Sequence, residues 1–197
     1  MNGEGQGAVP PVLLRIVQIV SFLFAAFGGF LANIAPPEEA SPGFAVGLAS
    51  FLSLCVLLYI AAISKDLPPR KHKRRWLVAA GIAFAGSVGF AAWYSTLLLH
   101  HTFRYPSETS PERYVAGTEM TSAARDYAQA NPGRSTTAIV KDFGGLERRE
   151  SVWTASSIAL ATQLLTGAYV GLVVCFAATI FCLTEGVLSA RGSAPPG

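Results

Sequence analysis

The side chains able to do chemistry are few and widely scattered. His100 and His101 stand together ahead of a segment that carries several carboxylates, so a metal or acid–base site is the first thing to weigh. Neighbouring positions on a helix point about 100° apart, and two adjacent imidazoles cannot share an ion unless the fold brings further ligands. Arg104 and Glu108 follow them, and these four residues are the one polar set that a lipid-processing enzyme at a membrane interface would have to use. Asp142-Phe143-Gly144 spells the kinase metal-binding triplet, but the glycine-rich and catalytic loops that give it meaning are absent. It reads instead as a helix that stops at glycine. Cys175 and Cys182 would lie on one helix face about 10 Å apart along the axis, too far for a disulfide. No HExxH, GxSxG, P-loop or CxxC occurs. The expectation is a protein that is not an enzyme and holds no metal or cofactor.

The elements that carry these residues are apolar. Of 197 residues, 51% are hydrophobic and 14% charged, against about 25% charged in an average soluble domain. Four runs reach the roughly 20 residues that a membrane-crossing helix needs: 12–35, 43–64, 76–99 and 156–188. None has a polar stripe to face water, which argues against a soluble bundle. The first run lacks a basic leader and a small-x-small cleavage pair, so a retained helix is expected. The fold class expected is an all-α integral membrane protein. It has four transmembrane helices and a small helical extracytoplasmic cap between helices 3 and 4.

Charge sorts along the chain. Residues 65–75, KDLPPRKHKRR, hold six Lys/Arg against one Asp, while the short 36–42 turn carries Glu38 and Glu39 and no cation. The positive-inside rule then places 65–75 in the cytoplasm, with both tails, 1–11 and 189–197, beside it. The 36–42 turn and the 100–155 segment go outside, across a bacterial inner membrane. Arg70, Lys71, Lys73, Arg74 and Arg75 are expected to set this topology and to meet lipid head groups. No nucleic-acid motif accompanies them. Within the spans the ionisable residues are Arg15 and Glu185, both toward the cytoplasmic ends, where Arg15 can snorkel and the two could pair. No charge falls at mid-membrane, which argues against a proton-coupled transporter or a voltage sensor.

Small residues recur at close-packing intervals. Gly81, Ala85 and Gly89 repeat every four residues in the third span, and Gly167 and Gly171 form a GxxxG in the fourth, near Thr162 and Thr166. Gly47, Ser50 and Ser53 follow one face of the second. Such stripes let helix backbones approach, either inside one bundle or between copies of the chain around a narrow pore.

The 100–155 segment is expected to hold two short amphipathic helices. One lies in TEMTSAARDYAQANPG, capped by Thr118 or Thr121 and stopped at Asn131-Pro132-Gly133. The other lies in STTAIVKDFGG, capped by Ser135, with Ile139, Val140 and Phe143 on one face and Gly144-Gly145 at its end. They are expected to pair as a helical hairpin lying on the span ends or on a neighbouring subunit. The stretch before them, TFRYPSETSPERYVAG, reads as an irregular strap. Trp76, Trp93, Trp153, Tyr94 and Tyr169 fall near span ends and are expected to anchor at the bilayer surface.

The four-span layout and the run YVAGTEMTSAARDYAQANPG, continuing through KDFGG and SVWTASSI, resemble the small four-span membrane proteins of bacterial anti-phage systems. The resemblance implies a homo-oligomer that leaks ions or depolarises the membrane. The residues themselves leave two functions open. One is an effector acting by self-association in the bilayer; the other is a non-catalytic anchor or scaffold that binds a partner protein through 100–155 or the basic loop.

Overall fold

A computed structural model describes residues 43–64, 72–106 and 111–191, with scattered positions between 14 and 37. Positions described between 14 and 34 are helical. The rest of the 12–35 span, Arg15 included, lies outside the described residues, as do Arg70 and Lys71 of the basic loop. The chain divides into two compact units, one of residues 1–34, 46–90 and 170–197 and the other of 35–45 and 91–169.

Among the described residues, three helices are long and apolar enough to cross a membrane. Helix α1 runs Phe44–Ser64, α2 His72–His100 and α5 Ala155–Arg191. At about 1.5 Å of rise per residue, α5 is close to 55 Å long. That exceeds the thickness of a hydrocarbon core, about 30 Å, so the helix is longer than a crossing requires. The sequence boundaries shift accordingly. Helix α2 begins at His72, so Lys73, Arg74 and Arg75 stand in its first turn instead of in the 65–75 loop. Lys and Arg are good helix formers, and the break supplied by Pro68-Pro69 ends several residues earlier. Helix α5 likewise runs through Arg191 into what reads as a tail.

In the first unit, Leu57 and Ala61 of α1 form one core with Trp76 and Ala80 of α2 and Ala178, Phe181 and Cys182 of α5. Trp76 meets Phe181 edge-on, with ring centroids 5.8 Å apart. On α1 the buried stripe is Ala45, Ala49, Ser53, Leu57 and Ala61, one residue in every four. Of the Gly47–Ser50–Ser53 face, Gly47 is exposed, Ser50 half-buried and Ser53 alone falls in the packed stripe.

The second unit is not wholly helical. Strands β1 (Thr102–Pro106) and β2 (Pro111–Val115) pair antiparallel where the strap is expected. The alternation of Phe103 and Tyr105 opposite Tyr114 turns one face inward, and that alternation outweighs the proline content. Prolines stand only at strand ends, Pro106 opposite Pro111, where their missing N–H costs least.

Helix α3 (Ser122–Ala130) starts at Thr121, whose hydroxyl accepts from the Ala124 N–H. Helix α4 (Thr136–Asp142) starts at Ser135, which accepts from Ala138 N–H. Gly144 and Gly145, with φ of 100° and 84°, turn the chain out of α4. A 3-10 segment, Leu146–Ser151, then leads toward α5. Met120 is not part of α3 but forms a bridge with Trp153.

The two short helices meet through Tyr127 and Phe143, whose ring centroids are 5.5 Å apart. Their apolar sides, Ala124, Ile139 and Val140, meet Phe103, Val152, Trp153 and Ile158 in a core of the unit's own. Its neck is a strip of backbone pairing. Thr121 N–H donates to Val152 O (2.9 Å), Thr154 N–H to Glu119 O (3.3 Å) and Ser157 Oγ to Glu119 O (3.1 Å). Gly117 has no room for a side chain there. A Cβ would fall 2.6 Å from Trp153 Cβ and would strike Ser157 Oγ.

Candidate functional site

Three sets of residues carry functional weight: the small residues of α2 and α5, the polar groups at the C-terminal end of α2, and the aromatic residues expected to anchor.

The small-residue stripes separate into packed and open positions. Gly81, Ala85 and Gly89 are all exposed. A Cβ built on Gly81 or Gly89 would meet nothing within 4 Å. Among the described residues nothing packs closely on this stripe at its two glycines. Helix α2 instead turns Gly86 and Phe90 inward. A Cβ on Gly86 would lie 3.3 Å from Cys175 Sγ, and one on Gly171 would lie 2.5 Å from the Phe90 ring. Thus Gly171 is a tight internal approach, whereas Gly167 is open. The two glycines of one GxxxG serve different surfaces. The side chain of Phe90 selects the inward face of α2, and a motif search over small residues alone misses it.

At its C-terminal end α2 gives way directly to the hairpin. His101 N–H donates to Leu97 O, and His101 O accepts from Ala116 N–H, each at 2.8 Å. His100 and Arg104 are exposed and His101 half-buried. Glu108, the carboxylate of the lipid-enzyme set, lies outside the described residues. Among the described residues no three His, Cys, Asp or Glu side chains gather as a metal site requires. The hairpin brings in Arg113, which the sequence reading did not single out. It lies directly opposite Arg104 in the strand register. Reading 102–115 as two alternating strands would have found it.

Polar contacts elsewhere on the unit tie its helices together. Tyr127 Oη donates to Asp142 Oδ2 at 2.8 Å, and Arg134 stands 4.0 Å from the same oxygen. The hydrogen bond to Asp142 leads in raising the Tyr127 phenol above its ordinary pKa, because it holds the proton in place. Lys141 Nζ lies 5.9 Å from the centroid of Tyr105. These contacts fix α3 against α4 and create no nucleophile or proton-transfer pair.

Four of the five expected anchors are buried. Trp76 packs on Phe181, and Tyr94 on Tyr169 with ring centroids 5.9 Å apart. Trp153 is 2% exposed, 5.3 Å from Phe103 between ring centroids. Large rings contribute most when desolvated against one another, and these positions fall on the inward faces. Trp93 alone of the five, 45% exposed, faces outward.

Of the expected head-group residues, Arg74 and Arg75 are exposed at the start of α2. Cys55, Cys175 and Cys182 are free thiols. Among families, curated proteins and solved structures, none matches this chain.

Proposed function

We propose that the protein is a four-span inner-membrane protein, with cytoplasmic termini and an extracytoplasmic 100–155 unit, that works by self-association. The single observation supporting this most is the outward stripe Gly81–Ala85–Gly89 on α2, a helix apolar enough to cross the bilayer. In lipid no hydrophobic force drives helices together, so close backbone approach at small residues is the main source of association. The stripe has that form, and the described part of the chain does not cover it. Assembly around such faces accounts for a channel-like or membrane-perturbing effector of the anti-phage kind, with Arg70, Lys71, Lys73, Arg74 and Arg75 holding the cytoplasmic side to anionic lipid.

The test is the mass of the full chain in detergent by light scattering, beside membrane potential in cells that overproduce it. Wild type forms a defined oligomer and depolarises cells. Ala85→Leu and Gly89→Leu, which add volume where there is open space, leave the helical signal intact but give monomer and a normal potential. An oligomer unchanged by both substitutions refutes the assignment.

A second reading has its own support. The 91–169 unit closes a core of its own around Trp153, so its outer surface is free to hold a partner protein. An inert monomer that co-purifies with one partner would favour that anchor role.

A further inference from the structure

Arg104 and Arg113 face each other across the hairpin, and both are exposed. Side chains directly opposite in an antiparallel pair stand about 5 Å apart at Cβ, and like charges there repel. Three described carboxylates of the same unit are engaged elsewhere. Glu112 accepts from Tyr114 Oη at 2.6 Å, Glu119 pairs with Arg125 at 3.5 Å, and Asp142 faces Tyr127 and Arg134. Among the described residues neither arginine has an ion pair. Two guanidiniums held side by side form a fork that matches one phosphate, since each can offer parallel N–H donors to its oxygens.

The place of this pair says which phosphate. One face of the hairpin, Phe103, Tyr105 and Tyr114, goes to the core around Trp153. The arginines lie on the other face, whose base at Val115 is buried. Strand β1 follows α2 directly, with His101 N–H bonded to Leu97 O, so the pair stands just past the end of that helix. Arg104 follows four residues after His100, the last residue of the apolar helix. Trp93 and Leu99 are exposed on the same final turns of α2, 45% and 81% respectively. Exposed Trp and Leu followed by two exposed arginines have the make-up of an apolar-to-headgroup boundary.

We propose that Arg104 and Arg113 jointly hold the phosphate of an anionic phospholipid at the bilayer surface where α2 ends. The inference needs α2 to span a membrane and is independent of self-association.

The test uses the purified full chain in detergent, offered phosphatidylglycerol, phosphatidylcholine or inorganic phosphate. Lipid retention is read by native mass spectrometry. Wild type retains phosphatidylglycerol over phosphatidylcholine by about tenfold, the scale of one charge-assisted contact pair. Arg104→Gln and Arg113→Gln each abolish the preference, while Arg113→Lys keeps part of it because the charge remains. Thermal melting gives a second readout with opposite signs. In phosphatidylcholine vesicles each Gln variant melts above wild type, because the repulsion is gone; in phosphatidylglycerol vesicles each melts below it.

Equal retention by wild type and both Gln variants overturns the proposal, as does the same melting order in both vesicles. Displacement of the lipid by millimolar inorganic phosphate makes this a free-phosphate site and overturns the lipid assignment.

Discussion

Replacing Gly171 and Gly167 in turn with alanine separates an internal contact from an open face using one chemistry on one helix. At Gly171 the new methyl would lie 2.5, 2.7 and 2.8 Å from three atoms of the Phe90 ring, while at Gly167 it would meet nothing within 4 Å. Comfortable carbon–carbon separations are about 3.5–4.0 Å, so the ring or the helix must retreat by about 1 Å. Overfilling a packed site costs about 1–3 kcal/mol. Both substitutions also gain helix propensity, up to about 1 kcal/mol, and that gain cancels in the comparison. Gly171→Ala is therefore expected to unfold about 1–3 kcal/mol more easily than Gly167→Ala. The measurement is the loss of helical circular dichroism on titrating micelles with dodecyl sulfate. Repeating it with Phe90→Ala removes the obstructing ring, and the gap should close, since the two sites couple only through that contact. Equal midpoints, or a gap that persists without the ring, would refute the packing described for α2 and α5.

In the 91–169 unit, Gly117→Ala should cost about 2–3 kcal/mol, because the methyl runs into Trp153 Cβ, which cannot swing away as a ring edge can; the loss of tryptophan near-ultraviolet dichroism on heating reports it. Thr121→Val removes the acceptor for Ala124 N–H and the donor to Ser151 O, at 3.3 and 2.7 Å, and should cost about 1–2 kcal/mol. Thr121→Ser should stay close to wild type in the same melt. The Tyr127 phenol is raised by Asp142, so its contribution is present below the ordinary phenol value of about 10. It is lost as pH climbs through the raised value of the folded state. In ultraviolet titration, Asp142→Asn should move the Tyr127 step back toward the ordinary value; an unmoved step would count against the bond.

Legibility in the sequence followed from how local each signal is. Thr121, Ser135 and Gly144-Gly145 fix α3 and α4 through groups within a few residues, and both helices lie where the caps put them. The apolar runs at 43–64, 76–99 and 156–188 are legible for the same reason, since length and hydropathy alone define them. The hairpin was hidden because the prolines and serines of 106–111 read as a break, while its information is in the alternation of Phe103, Tyr105 and Tyr114. Which side of a span faces inward was hidden more deeply. Gly81–Ala85–Gly89 and Gly86–Phe90 both recur at helical spacing, and only the partner surface decides between them. The aromatic residues show the same limit: Trp93 and Tyr94 are neighbours in sequence, yet one is exposed and the other buried.

The backbone strip that joins 116–121 to 152–157 has a consequence for biogenesis. Phe103 and Trp153, which meet in the cap core, lie at opposite ends of the segment between α2 and α5. That core therefore cannot close until nearly the whole segment has been synthesised, because its last aromatic residue arrives just ahead of α5. The ribosome must deliver almost the whole excursion in an open state, with Ile139 and Val140 unshielded, before Trp153 completes it. Synthesis of α5 and closure of this core are then nearly simultaneous events. A defect in either should appear as failure of both.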